Sequence, residues 1–430
     1  MRKIMLAATA VAGLGLAVSA NAQALNPTIT SPGFLGSAGG AAPEAGTVAV
    51  YVKGKVYSAI SAGSDSGSAG AGNAGKLNTT DIMTAMRLYF GFDGKSNQGL
   101  EYGSLIELRQ FYDGQYQNGS AADPVQVRRE RVYIGTPVAG RLTIGTTDGA
   151  LGLLDTGDWG ATPFDVVGGW VGDVNAYGRT KNTLLNYPFA SQSGEYMTNK
   201  LVYTSPNFSG VDLALSFEPN MQSGLGYCAQ NAYTATACNS AVSIGTSTID
   251  KQGSRSNTIE AAARYKGSFG PAAVAAEVGT WQSNVVKGNA NVTKGLSVLD
   301  AGLTASASGF TVGGHFMSGN MTGGNQPELK GAKQSQFGMV GASYTFGSTV
   351  VGASYIDLNS ANSSVALGML HETGVNVGAT YDFAPGAAVF LSGIYGTRHE
   401  NGFNILAGAA GATHNSVQAR SIAVGSVFNF

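Results

Sequence analysis

The stretch NSVQARSIAVGSVFNF, residues 415–430, is where the chain stops. Ile422, Val424, Phe428 and Phe430 in it fall two residues apart or a multiple of two, the spacing that puts side chains on one face of a β-strand. The same alternation recurs upstream. Val211, Leu213, Leu215 and Phe217 oppose Asp212, Ser216 and Glu218, and Val375, Val377, Ala379 and Tyr381 oppose Asn376, Thr380 and Asp382. Sixteen strands are read this way, over 47–61, 81–92, 99–112, 125–136, 140–147, 198–205, 210–218, 255–266, 271–282, 295–306, 309–318, 334–346, 348–357, 371–382, 387–398 and 415–430.

The connections alternate in length. The short ones are Asp93–Gln98, Pro137–Ala139, Pro206–Ser209, Gly267–Gly270, Ala307–Ser308, Gly347 and Phe383–Gly386, rich in the Gly and Pro that tight turns need. Those between are longer, and 148–197 is the longest. A soluble sandwich also alternates apolar and polar residues, but it does not hold this rhythm over sixteen strands. A closed transmembrane barrel does, with short turns on one side of the membrane and long loops on the other. Strands of about ten residues, rising ~3.3 Å each and tilted ~40°, span about 25 Å, the height of an outer-membrane apolar band. The expected fold is therefore all-β: a sixteen-stranded antiparallel transmembrane barrel with a lumen too wide for wall side chains to fill. An even strand count places both ends of the barrel on the short-turn side, the periplasm. Phe90 and Phe92, Tyr344 and Phe346, Tyr381 and Phe383, and Phe428 and Phe430 lie beside short turns and are expected to form an interfacial aromatic girdle.

Composition agrees. Of 430 residues 63 are Gly, and only 12% are charged, about half of what a soluble chain carries. A Gly-rich soluble β-helix would show a fixed repeat period, and none is visible. Residues 1–22 read as a secretory signal: Arg2 and Lys3, an apolar run from Ile4 to Val18, then Ala20-Asn21-Ala22. The mature chain then begins at Gln23, or two residues later if cleavage follows Ala24, and 23–46 is a periplasmic lead before the barrel at 47–430. With that signal removed, 23 basic residues stand against 26 acidic ones, which is no nucleic-acid footprint. Cys228 and Cys238 are expected to pair and staple one polar loop, the alternative being a metal or redox role. His315, His371, His399 and His414 carry no zinc spacing and read as scattered polar residues.

Four local patterns add a resemblance. They are MRLYFG at 86–91; RVYIG at 131–135 followed by RLTIG at 141–145; NKLVYTSPNFSG at 199–210; and Thr162-Pro163-Phe164-Asp165 with Gly168-Gly169. In this order the chain resembles the general trimeric porins of Gram-negative outer membranes, across essentially the whole mature barrel. The resemblance implies a homotrimer in outer-membrane lipid that passes ions and small hydrophilic solutes passively, without a cofactor. It also implies a third loop, 148–197, folded inward, its acids Asp155, Asp158 and Asp165 facing wall arginines at Arg87 and Arg131. Counting faces agrees independently. If Val48, Val50, Val52, Leu88, Phe90, Ile106, Leu108, Val132 and Ile134 face lipid, then Lys53, Lys55, Arg87, Glu107, Arg109, Arg129, Arg131 and Tyr133 line the lumen. The chain departs from the family at Thr204, at Gly145-Thr146, at Val166 and Val167, and in its long 23–46 lead.

Two other readings stand beside this one. A substrate-specific channel for sugar, phosphate or organic acid would use lumenal aromatics such as Tyr57, Tyr89, Tyr133 and Tyr177; a surface adhesin or receptor would use the Cys228–Cys238 loop. An enzyme is not expected. No Gly-x-Ser-x-Gly elbow stands out, and Gly36 to Gly40 do not sit between a strand and a helix.

Overall fold

The computed structural model describes residues 43–66, 79–110, 125–157, 198–220, 255–285, 293–322, 327–361, 367–405 and 409–430. The elements run β1 (Thr47–Asp65), β2 (Thr80–Lys95), β3 (Glu101–Gln110), β4 (Val125–Thr136), β5 (Gly140–Thr146), α1 (Ala150–Leu154), β6 (Asn199–Thr204) and β7 (Val211–Asn220). Then come β8 (Arg255–Phe269), β9 (Ala272–Val285), β10 (Thr293–Lys294), β11 (Ser297–Ala307), β12 (Phe310–Asn320), β13 (Glu328–Leu329) and β14 (Ser335–Phe346). The chain finishes with β15 (Thr349–Ala361), β16 (Met369–Ala384), β17 (Ala387–Glu400), β18 (Phe403–Asn404), β19 (Ala409–Ala410) and β20 (Ser416–Asn429).

Sixteen of these strands form one closed antiparallel barrel, each paired with its neighbours in the chain and β20 with β1. The two-residue strands β10 with β13, and β18 with β19, pair separately within the long connections. Closure leaves no strand edge unpaired, the condition for crossing a bilayer with sheet. At the seam Phe430 and Gly54 exchange backbone hydrogen bonds of 2.9 and 3.0 Å, so the last residue is pinned to the first strand.

All sixteen expected strands are present; β1, β2, β8, β15 and β16 run a few residues beyond their expected spans where pairing outlasts the apolar alternation, while β3, β5, β6 and β20 are slightly shorter. The short–long rhythm holds too. Gly347 shows what the shortest turns require: its φ of +56° is the left-handed region that a side chain disfavours, and it lets β14 reverse into β15 in two residues.

Two faces result. Val50 is 78% exposed, and Val48, Val52, Val132, Ile134, Leu213, Leu215, Val375, Val377, Ile422 and Val424 are exposed on the same outer surface. The expected aromatics sit at its short-turn end. Tyr344 stacks against Phe346 at 5.9 Å and packs at a tilt against Phe310 of β12 at 4.4 Å, and Phe383 meets Phe428 edge-on at 6.3 Å. Exposed apolar residues in such a continuous band, closed by an aromatic rim, are the signature of a surface wetted by hydrocarbon. Among the described residues no helix is long and apolar enough to cross a membrane, so the crossing falls to the strands.

The expected signal segment, the lead up to residue 42, the Cys228–Cys238 staple, Tyr177, and Asp158 and Asp165 within 158–197 lie outside the described residues.

A charged inner wall and the start of the long connection

β1 to β5 place their lumenal side chains by simple alternation, with one exception. Lys55, Arg87 and Arg109 stand side by side, because Lys55 pairs in register with Arg87 and Arg87 with Arg109. Lys53, Tyr89, Glu107, Arg131 and Tyr133 fall on the same inner face, as expected from the exposed residues that alternate with them. The exception is in β4. Its register against β3 slips between Glu107 and Leu108: Glu107 is opposite Arg129, but Leu108 is opposite Val127. Arg128 is the extra residue of a β-bulge, and both Arg128 and Arg129 turn inward and are buried.

The bulge builds a network on Glu107, which is 1% exposed. Arg128 donates to one carboxylate oxygen at 2.8 Å and Arg129 to the other at 2.5 Å, while Arg87 stands 3.7 Å away. Arg129 also donates two parallel bonds, 2.7 and 3.0 Å, to Asp148, just past the end of β5. Bidentate pairing of this kind holds the guanidinium plane as well as its charge. Arg131 donates to Thr147 at 3.0 Å. Below, Tyr133 hydrogen-bonds Asp93, and the Arg141 guanidinium lies 4.1 Å over the Tyr133 ring.

From Thr147 the chain follows the inner wall. The free N–H groups at the start of α1 are satisfied by wall side chains: Ala150 donates to Ser216 of β7 at 3.1 Å, and Leu151 to Glu260 of β8 at 3.1 Å. Ser216 and Glu260 alternate with the exposed Leu215, Phe217 and Ile259, so α1 lies on the lumenal side. Further on, the Thr156 carbonyl oxygen comes within 1.5 Å of where a side chain at Gly302 of β11 would begin. Only a glycine there admits the backbone. Residues 147–157 thus run along the inside of the barrel from β5 to β12.

The wall beneath this segment carries acids on successive strands: Glu218, Glu260, Glu277 and Asp300 on β7, β8, β9 and β11. Glu218 is held by Lys200 at 3.2 Å and by Arg255 at 2.8 Å, and Asp212 by Arg264 at 3.1 Å. Asp155 lies beside His315 of β12 at 3.6 Å, and Asp148, earlier in the connection, pairs with the wall arginine Arg129 at 2.7 Å. His315 is no scattered polar residue, since it also contacts Asp300 at 2.6 Å. His371 and His399 sit on exposed positions beside Asp357 and Ser416.

Arg128, Asp148 and His315 escaped the site reading. Arg128 left a signal: the exposed file runs through odd positions at Val125 and Val127 and through even ones at Val132 and Ile134. That change of parity requires one extra residue between them.

A closed barrel of this strand number, apolar outside and charged within, with a chain segment laid along its inner wall, defines a transmembrane pore of the outer-membrane type. A model of the Gram-negative porin family matches residues 7–402. The chain belongs to that family, and it is an outer-membrane channel for passive diffusion of solutes. No curated protein sequence matches it. Among solved structures it is similar to the anion-selective porin from Comamonas acidovorans, at 13% identity and a TM-score of 0.52. It is similar also to a mutant of the Rh. blastica porin, at 17% identity and a TM-score of 0.50. Each alignment covers 89% of this chain and 100% of the other. At such identities the likeness is one of fold. Family and fold point to a channel rather than an enzyme.

Proposed function

We propose that the channel passes small anions faster than cations, through a waist bounded by the basic inner wall of β1 to β4 and by the long connection after β5. One observation carries this reading: Lys55, Arg87, Arg109, Arg128, Arg129 and Arg131 occupy neighbouring inner positions with the carboxylates of Glu107 and Asp148 among them. Cations in that excess raise the local concentration of anions and lower the barrier to their passage. The acids on β7 to β11 lie further round the wall, so the charges set a field across the lumen. Water and polar solutes orient in such a field, whereas apolar solutes lose hydration that nothing replaces. The anion selectivity stated for the Comamonas porin supports the sign.

The rest of the expected site belongs to the same reading. Asp158 and Asp165 line the waist from the long connection, residues 1–22 are removed on export, and the short turns face the periplasm. Three chains assemble through the outer face of β1 and β20, where Val48, Val50, Val52, Ile422 and Val424 are exposed. The mass of the detergent-solubilised assembly tests the trimer. The reversal potential of a planar bilayer under a tenfold KCl gradient tests the selectivity: it should take the sign of chloride preference, and the opposite sign would sink the proposal.

A further inference from the structure

Below the Glu107 network, toward the short turns, the inner wall carries a second basic group. Arg141 of β5 is in register with Gly135 of β4, Gly135 with Glu101 of β3, and Glu101 with Lys95 of β2. One row further up stand Asp93 and Tyr133, on either side of Gly103. In the next row Tyr51 of β1 faces Gly91. Lys53 follows Tyr51 two residues along β1, on the same face.

The glycines let the two tyrosines lie along the wall. A side chain at Gly91 would collide with the Tyr51 hydroxyl, which reaches over it to donate to the Ser104 carbonyl at 3.4 Å. One at Gly103 would press on the Tyr133 ring, whose hydroxyl donates to Asp93. Each ring then seats a cation. The Arg141 guanidinium lies 4.1 Å from the centre of Tyr133, and Lys53 Nζ lies 5.9 Å from the centre of Tyr51. Stacking sets the plane of the Arg141 fork and leaves its N–H edge unused. Among the described residues that guanidinium makes no hydrogen bond; Glu101 stands 3.8 Å off and is shared with Lys95 at 3.6 Å. The Arg141 side chain is 18% exposed, on the lumenal face, so a solute in the channel can reach it. Arg131, two rows up, is engaged elsewhere, by Thr147 at 3.0 Å.

We propose that Arg141, seated on Tyr133 and accompanied by Lys53 and Lys95, is a binding step for small monocarboxylates at the short-turn end of the lumen. The class follows from shape and charge. A planar fork offers two parallel N–H groups, which match the two oxygens of a carboxylate and give a spherical chloride no second bond. Three cations, Lys53, Lys95 and Arg141, stand against two carboxylates, Asp93 and Glu101, an excess of one. That excess suits a monoanion, whereas Asp93 and Glu101 repel a dianion such as hydrogen phosphate. The proposal rests on the reading that anions pass the waist above, and it names what they meet beyond it.

Saturation-transfer NMR of acetate with the folded full chain in detergent tests the subsite independently of any current. Transfer to the acetate methyl group is expected, with affinity at least about threefold weaker in Arg141→Gln. Arg141→Lys keeps the charge and loses the fork, so it should weaken binding nearly as much. Tyr133→Leu removes the seat and should weaken it too, and it reports even if the Arg141 variants fail to fold. Heat-modifiable gel mobility verifies each barrel. Phosphate at about pH 8, where it is mainly the dianion, should displace acetate less well than formate does. Equal transfer in the parent and Arg141→Gln, or displacement by phosphate as effective as by formate, would overturn the proposal. A cation-selective reversal potential in KCl, with acetate binding intact, would sink the waist reading alone.

Discussion

At the scale of single residues, Glu107 has the largest task. It is buried among Arg87, Arg128 and Arg129, and it is the carboxylate common to all three. Removing one partner of a buried network leaves the others uncompensated, at a cost of about 3–5 kcal/mol. Glu107→Gln, nearly the same in shape, should lower the guanidinium midpoint of the folded barrel, with a loss of unfolding free energy of that order. An unchanged midpoint would mean that solvent already screens the arginines. Arg87→Ala together with Arg131→Ala removes two positive groups from the waist and should shift the reversal potential toward cations. Had the pair no place in the waist, the potential would stay where it was. Most of these residues were legible from alternation, which assigns a face from parity alone. Arg129 was read from parity as an inward residue, whereas its pairing with Asp148 had no signal in the sequence. The resemblance drew attention to acids further along the loop, and no periodicity relates a loop residue to a wall.

At the scale of elements, the bulge in β4 and the notch at Gly302 are the two irregularities that shape the lumen. Deleting Arg128 would restore strict alternation and turn Val125 and Val127 inward, with the polar positions beside them outward. Folding yield from urea into detergent should collapse for the deletion, while Arg128→Ala, which keeps the bulge, should fold. Equal yields would show that β4 tolerates either register. Gly302→Val puts a branched side chain where the Thr156 carbonyl now lies, so residues 155–157 must move off the wall. Single-channel records of that variant should show altered conductance and more open-state noise; a trace identical to the parent would show that this segment does not bound the current path. The strand spans were readable because lipid demands an apolar residue at every second position. The strand ends were less so, since pairing beyond the apolar band continues without that demand.

At the scale of the whole molecule, the barrel is held by closure and by its two solvents. Hydrocarbon selects the outside, and a charge there is expelled. Val132→Arg, midway along β4 on the outer face, should cost about 2–4 kcal/mol of unfolding free energy in lipid vesicles. Thr143→Arg, on the inner file of β5, should cost much less; similar costs for both would deny the two-solvent picture. Strand number, chain-order pairing and the aromatic rim all follow from a pattern repeated sixteen times, so errors at single positions did not matter. By itself the sequence determined the barrel and its rhythm of short turns and long loops, because period-two alternation is a local property of the backbone. Only the tertiary structure decided which charges meet. Glu107 with three arginines, Arg129 with Asp148, and Asp155 with His315 and Glu277 are contacts made by closing the sheet and laying a connection along its inner wall, and distances of that kind leave no trace in the order of residues along a chain.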